Sequence, residues 1–64
     1  MPNISVEGPP LADLDKKREL VKGMTDVAAK VYGLPPEAMI VVIRENSAEN
    51  VGIGGQLLAD RKKR

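Results

Sequence analysis

The sequence predicts an α/β (α+β) fold: one β-α-β unit with parallel strands, followed by a C-terminal β-hairpin. Three features predict it: an alternating apolar and polar segment, an amphipathic segment of about 20 residues, and a run of β-branched residues. The two strand-like segments are separated by about 30 residues containing one helix, the length of a βαβ crossover. Such a crossover predicts parallel strands with a right-handed connection. The length predicts a single domain, residues 1–64.

The first strand is predicted from Pro2 to Glu7, where Ile4 and Val6 alternate with polar residues. A period of two is typical of a strand with one buried face. The segment Gly8-Pro9-Pro10 follows. Because proline has no N–H to donate to a strand ladder, the strand is expected to end there.

The helix is predicted from Asp13 to about Tyr32. Asp13 is a suitable N-cap, since its carboxylate can accept a hydrogen bond from the first turn. An apolar stripe at helical spacing follows, with charged residues mostly on the opposite side. The stripe consists of Leu20, Val21, Met24, Val27, Ala28 and Val31. Gly33 is expected to end the helix, and prolines follow it.

The second strand is predicted from Met39 to Arg44, and its apolar β-branched residues indicate burial on both faces. A polar loop at residues 46–50 precedes a glycine-rich segment, Val51–Gly55, that is typical of a tight hairpin turn. Residues 56–59 are expected to form a short strand or a turn. Residues 60–64 are expected to form a solvated, frayed, charged tail.

The composition removes several kinds of chemistry. The chain has no Cys and no His, so it has no disulfide, thiolate nucleophile or imidazole base, and a zinc site is not expected. A net charge of +1 gives no general attraction to nucleic acid. No apolar run reaches the roughly 20 residues that span a bilayer. Since no signal peptide pattern is visible, the protein is expected to be cytoplasmic.

The small size predicts association with further copies. A chain of 64 residues buries only about 60% of the surface that its unfolded form exposes. Its single aromatic residue, Tyr32, leaves a core of aliphatic residues only. With disulfides excluded, oligomerisation is the leading way to stabilise such a chain.

Several motifs favour ordinary interpretations. The VGIGG segment lacks the Lys-Ser/Thr ending of a phosphate loop and the strand–helix context of a dinucleotide site, so a tight turn is the better interpretation. The basic tail has no aromatic stacking platform, which makes nucleic-acid binding there the weaker interpretation. Glu7, Glu45 and Glu49 are candidate acid/base groups, but no pair has a distinctive spacing.

Taken in order, the motifs resemble the 4-oxalocrotonate tautomerase family. The resemblance covers nearly the whole chain, and the combination of an N-terminal proline with a GIGG hairpin is fairly specific. The residues that carry it are Pro2, Glu7-Gly8, residues 13–17, Gly33-Leu34-Pro35, Met39 to Arg44, Glu45 and residues 51–55.

The resemblance implies an isomerase, a keto–enol tautomerase that uses no cofactor and no metal. The nitrogen of Pro2 would be the general base acting on a small enolisable keto acid. Once Met1 is removed, this nitrogen is a secondary amine, and an apolar pocket lowers the pKa of an amine. A neutral amine can take a proton from the carbon beside a carbonyl and return it at another carbon. With Met1 in place, the nitrogen belongs to an amide and cannot act as this base.

The resemblance also implies a homo-oligomer, commonly a hexamer built as a trimer of dimers. In it, the parallel strands of two subunits join into a four-stranded sheet with helices on one face. The hairpin at residues 51–55 would reach an adjacent subunit. This agrees with the size argument for association.

The chain departs from the family at the substrate pocket. The position of the first substrate-binding arginine lies within residues 9–12, which hold no arginine. The second matches Ile40, and the pocket aromatic matches Val51. The usual substrate, an unsaturated keto-diacid, is therefore not assigned to this chain. The aliphatic residues Ile4, Ile40, Val51 and Ile53 are candidates for the pocket wall.

Arg44 is the candidate replacement for the missing arginines. It lies four residues after Ile40, so both side chains are expected on the same face of the strand. A guanidinium can hold a carboxylate through two hydrogen bonds, which predicts that Arg44 binds the substrate carboxylate. The alternative is an ion pair with Glu7, Glu45 or Glu49 at an oligomer surface.

Two other functions stay open. A Pro2-dependent hydration, dehalogenation or decarboxylation would need a carboxylate to activate water, and Glu45 or Glu49 is the candidate. A non-catalytic oligomeric scaffold that keeps the fold is favoured by the missing arginines and opposed by the retained Pro2.

Overall fold

The computed structural model of the chain describes residues 1–61 of 64. Its helices and strands are β1 (Asn3–Gly8), α1 (Leu14–Tyr32), β2 (Ile40–Glu45), β3 (Gly52–Ile53), β4 (Gln56–Leu57) and α2 (Leu58–Arg61). Short 3₁₀ turns lie at Pro36–Ala38 and Ala48–Asn50. Of the predicted charged tail, residues 60 and 61 belong to α2, and residues 62–64 lie outside the described part of the chain.

The parallel β-α-β unit is confirmed. β1 and β2 pair in parallel, with a register that runs from Asn3 beside Ile40 to Gly8 beside Glu45. Both strands begin and end one residue later than predicted. The ladder extends past Glu7 because the carbonyl of Gly8 accepts the N–H of Asn46 at 2.8 Å. The glycine thus still pairs, and the two prolines after it end the strand.

The predicted bounds of α1 are confirmed by its caps. Asp13 is the N-cap, and its Oδ1 accepts the N–H of Asp15 at 2.9 Å. Gly33 is the C-cap with φ 70°, a left-handed conformation in which glycine carries no steric penalty. Its N–H donates to the carbonyl of Ala29 at 2.9 Å.

α1 covers one face of the two-stranded sheet. The side chains that face it are half-buried: Ile4, Val6, Val41 and Ile43. On the other face, Ile40 and Val42 remain 43% and 39% exposed. The prediction that β2 is buried on both faces is therefore wrong for a single chain, because its one long helix covers only one face.

The glycine-rich segment forms the predicted hairpin. β3 and β4 pair antiparallel, and the turn between them places Gly54 and Gly55 at φ 61° and 83°. Two successive positive φ values are those of a type I′ turn, which suits the twist of a hairpin. The helix α2 follows directly, where the sequence predicted a strand or turn and then a tail.

Among the described residues, none is buried, and the chain is elongated. Its radius of gyration is 15.2 Å and its extents are 45 × 25 × 15 Å. A compact domain of this length would have a radius of gyration of about 11 Å. Within residues 1–61, none of the helices combines the length and the apolarity that a membrane span requires.

Candidate active site

Pro2 lies at the head of β1 and is half-buried. Its carbonyl oxygen accepts the backbone N–H of Ile40 at 3.2 Å, which ties the proline to the start of β2. Met1 precedes it and is 80% exposed. The nitrogen of Pro2 therefore stands at the edge of the sheet where both parallel strands begin.

At this end of the sheet, the chain segments that lead into β1 and β2 provide apolar neighbours for Pro2 but no Lys or Arg. Asn3 pairs with Ile40 in the strand register, and Met39 precedes Ile40. Residues 1–4 and 36–41 contain no Lys or Arg, and Glu37 is their single acidic residue. A carboxylate bound near Pro2 would need its positive partner from another part of the molecule or from another copy.

Arg44 shares the outer sheet face with Ile40 but lies at the far end of it. The two residues are four positions apart on β2, which corresponds to roughly 13 Å along the strand. Arg44 pairs in register with Glu7, yet the Glu7 carboxylate accepts a hydrogen bond from Asn46 Nδ2 at 3.2 Å. Within residues 1–61, Arg44 has no ion pair.

Glu45, the last residue of β2, is held by two donors on the α1 side of the sheet. Its Oε2 accepts the backbone N–H of Leu11 at 3.0 Å and lies 2.9 Å from Lys17 Nζ. The Leu11 hydrogen bond and then the Lys17 hydrogen bond lower the pKa of Glu45 below its usual value. The hydrogen bonds that lower the pKa of this carboxylate also make it a weaker base, so it is poorly suited to activate water.

The predicted pocket residues of the hairpin belong to a separate part of the chain. Val51 is half-buried, and its carbonyl accepts the N–H of Leu58 at 2.8 Å. Ile53 is 54% exposed. The hairpin packs mainly against α2 and the turn at Ala48–Asn50. One chain therefore joins Pro2 with Ile40, and it does not add Arg44 to them.

Sequence reasoning missed the group of contacts around Glu45. Leu11, Lys17 and Asn46 had no assigned partner, because the contact between Leu11 and Glu45 spans 34 positions and no local pattern reports it. The available signal is a carboxylate next to a predicted strand end, which the sequence indicates as an acid/base candidate or as an ion-pair partner of Arg44.

An open apolar groove of about 950 Å³ runs along α1. Its lining is almost entirely apolar and includes Ile4, Leu20, Gly23, Met24, Val27 and Val31. Val27 and Val31 are 64% and 76% exposed. Large contiguous apolar surfaces of this kind are uncommon on monomeric proteins.

Comparisons with known proteins agree on one family. A sequence model of the tautomerase family, described as tautomerase enzyme, matches residues 2–61. DmpI from Archaeoglobus fulgidus is 51% identical over 92% of this chain and 100% of that chain, with a TM-score of 0.82. A 4-oxalocrotonate tautomerase homologue is 32% identical over 94% of this chain and 95% of its own, with a TM-score of 0.84.

A further similar structure was studied for a different reaction. It is described for trans-3-chloroacrylic acid dehalogenase activity and is 32% identical over 88% of this chain and 97% of its own, with a TM-score of 0.75. The predicted fold and the resemblance to 4-oxalocrotonate tautomerases are thus confirmed.

Proposed function

Because the chain belongs to the tautomerase family, we propose that it is a cofactor-independent tautomerase of a small enolisable keto acid, with the nitrogen of Pro2 as general base. Family membership supports an enzyme of the isomerase type. The observation that carries the finer proposal is the position of Pro2. It is the first residue of the family match, and its carbonyl is bonded to the start of β2.

The proposed reaction moves one proton. With an enol substrate, the neutral amine of Pro2 removes the hydroxyl proton and leaves the enolate. With a keto substrate, it removes a proton from a carbon beside the carbonyl, and the electron pair of that C–H bond forms the enolate. The protonated amine then returns the proton at another carbon of the conjugated system. This chemistry requires removal of Met1, since an amide nitrogen has no basic lone pair. The 80% exposure of Met1 would let an aminopeptidase reach it.

We assign the substrate carboxylate to Arg44, with Ile40, Val51 and Ile53 as apolar pocket residues. The absence of an ion pair at Arg44, within the described residues, supports this assignment, because the guanidinium is available. Arg44 and the Pro2 end of one sheet are roughly 13 Å apart along the strand. The Arg44 that serves a given Pro2 would therefore come from another copy.

We further propose that the chain forms a homo-oligomer, a hexamer built as a trimer of dimers. The lack of any buried residue within residues 1–61, the uncovered sheet face and the groove along α1 all support association. Oligomerisation would also bring Arg44 of one copy within reach of Pro2 of another.

The experiment compares three forms of the protein. Intact mass first establishes the fraction without Met1. Ketonisation of 2-hydroxymuconate or phenylenolpyruvate is then measured for the Met1-free protein, the Met1-retaining protein and Pro2→Ala. The Met1-free protein should be active, and both other forms should lose at least about a hundredfold in rate. Equal rates in all three forms would exclude Pro2 as the base.

A hydration or dehalogenation that depends on Pro2 is the second candidate, and the similar structure described for trans-3-chloroacrylic acid dehalogenase activity supports it. Besides Pro2, such a reaction needs a carboxylate of the protein to activate water. Glu45 is already occupied by Leu11 and Lys17, which leaves Glu49 as the candidate. Halide release from trans-3-chloroacrylate by the Met1-free protein, abolished in Glu49→Gln, would favour this reaction. The absence of halide release would remove it.

A further inference from the structure

We infer that Glu45 is a positioning residue for Arg44: its carboxylate fastens the end of β2 to the connection between β1 and α1, and so fixes the backbone that carries the guanidinium. This inference rests on the proposed function in one respect, namely that Arg44 binds the substrate carboxylate. The fastening itself stands on the contacts of the chain alone.

The first contact joins Glu45 to the β1–α1 connection. That connection begins with Pro9 and Pro10, which have no N–H, so Leu11 carries its first N–H group. This N–H donates to Glu45 Oε2 at 3.0 Å. A backbone donor bonded to a carboxylate forms one of the stronger hydrogen bonds in proteins. This hydrogen bond holds the connection against the sheet at the first residue of the connection that has a backbone N–H.

The second contact joins Glu45 to α1. Lys17 Nζ lies 2.9 Å from the same Oε2, and the two side chains keep only 30% and 28% of their surface exposed. The other ion pairs within the described residues, Lys22 with Asp26 and Arg18 with Asp15, join α1 only to itself. The pair of Lys17 with Glu45 is thus the one that links helix to sheet within residues 1–61.

Asn46 makes two further hydrogen bonds to β1, the strand that pairs with β2. Asn46 follows Glu45 directly, and its Nδ2 donates to Glu7 Oε2 at 3.2 Å while its N–H donates to the Gly8 carbonyl at 2.8 Å. Both strand ends are therefore tied down beside Arg44. Because side chains alternate along a strand, Glu45 and Arg44 point to opposite faces, so the fastening leaves the guanidinium free.

Glu45→Ala tests the inference, with Lys17→Met as a second variant that keeps the carboxylate. Asp26→Ala and Lys22→Met are the matched controls, since they break an ion pair of 2.8 Å that lies within α1. Hydrogen exchange of the Leu11 amide reports the fastening. It should accelerate at least about tenfold in Glu45→Ala and stay unchanged in both controls. The Gly33 amide, bonded to Ala29, is the internal reference.

Kinetics separate positioning from general stability. For phenylenolpyruvate, KM should rise about three- to tenfold in Glu45→Ala while kcat changes less than about twofold, because the substitution loosens the carboxylate contact at Arg44 and leaves the Pro2 amine that moves the proton unchanged. In an Arg44→Ala background, Glu45→Ala should add no further increase in KM, since the group that it positions is gone.

Three outcomes would overturn the inference. Unchanged exchange at Leu11 would show that Glu45 does not hold the connection. Additive increases in KM in the double variant would show that Glu45 acts independently of Arg44. An unchanged KM in Arg44→Ala alone would refute the substrate role of Arg44, and the Leu11 exchange would then show whether the fastening itself exists. Pro2→Ala kinetics test the general base independently of all three.

Discussion

Ile40 donates its backbone N–H to the carbonyl oxygen of Pro2 at 3.2 Å, which joins the proposed base to the start of β2. The Ile40 side chain remains 43% exposed at that point. In the family that the sequence resembles, the matching position holds a substrate-binding arginine. The bond from Ile40 to Pro2 uses backbone atoms only, so a different side chain can be introduced there without breaking it.

Ile40→Arg is expected to shift the preference of the enzyme toward diacids. A guanidinium beside Pro2 can form charge-assisted hydrogen bonds with a second carboxylate. KM for 2-hydroxymuconate, which has two carboxylates, should fall about tenfold, a typical effect for one such contact. KM for phenylenolpyruvate, which has one, should change much less. Steady-state kinetics with both substrates on Met1-free protein provide the measurement.

Ile40→Leu is the matched control because it keeps the volume and adds no charge. It should leave the ratio of the two KM values as it is in the starting protein. If Ile40→Arg lowers KM equally for both substrates, or if Ile40→Leu produces the same shift, the arginine does not bind the second carboxylate.

Val31→Asp is expected to weaken association of the chain. Val31 is 76% exposed in the groove along α1, so a carboxylate there meets water in a single chain. If another copy covers the groove, the charge must be desolvated, and the dissociation constant should rise at least about tenfold. Sedimentation velocity across a concentration series measures this. Lys30→Asp adds the same carboxylate to an exposed residue outside the groove lining, and it should leave the assembly intact. An unchanged assembly in Val31→Asp would place the interface elsewhere.

The predictable parts of the fold are those with local causes. Asp13 and Gly33 mark the ends of α1 because capping depends on residues next to one another. The four-residue helix α2 was missed because it is too short to show a helical period. The apolar run of β2 indicated covered surfaces, but a sequence pattern does not say which molecule covers them, and Ile40 and Val42 are exposed in one chain.

The same distinction between local and long-range causes applies to the residues of the candidate site. Pro2 could be named from its place at the chain start and the motifs that follow it. The role of Glu45 could not, because it depends on Leu11 and Lys17, which reach it only after the crossover has folded back. The distance from Pro2 to Arg44 could not be predicted either. It depends on the register between β1 and β2, which is fixed only when the two strands pair.

Low pH should lower the free energy of unfolding, because it protonates Glu45. The Leu11 hydrogen bond and then the Lys17 hydrogen bond lower its folded-state pKa below the ordinary value of 4.5. The unfolded chain therefore binds this proton at higher pH than the folded chain. The stability from Glu45 is present above pH 4.5 and is lost as the pH falls through the lower folded-state value. Glu45→Gln should accordingly lose less stability than the starting protein over this range.

Urea midpoints at neutral pH and well below pH 4.5 measure this difference. The charged groups near Glu45 are Lys17 on α1, Arg44 beside it on β2, and Glu7 on β1, which is bonded to Asn46. Asp26→Asn, which removes a carboxylate from an ion pair within α1, is the control. An identical loss of stability in Glu45→Gln and the starting protein would show that the contacts of Glu45 do not persist in solution.

The hairpin turn should accept asparagine in place of a glycine but should be destabilised by a β-branched residue. Gly54 and Gly55 have φ of 61° and 83°, and no other described atom, outside their chain neighbours, lies within 4 Å of where their Cβ would stand. Steric crowding from neighbours is thus absent, and the effect of a side chain comes from the backbone alone. Asn tolerates a left-handed conformation and is favoured before Gly in a type I′ turn, so Gly54→Asn should be neutral or slightly stabilising.

Gly55→Val should instead destabilise the hairpin by about 1–2 kcal/mol, because a β-branched residue is strained at positive φ. Gly8→Val is the matched control: it also has open space around its Cβ, but its φ is not positive. Thermal unfolding followed by circular dichroism measures the stability of each variant. Hydrogen exchange of the Leu58 amide, which donates to the Val51 carbonyl, reports on the hairpin directly. Equal destabilisation by Gly55→Val and Gly8→Val would show that the turn does not impose positive φ at Gly55. A loss in Gly54→Asn as large as that in Gly55→Val would argue against the type I′ conformation.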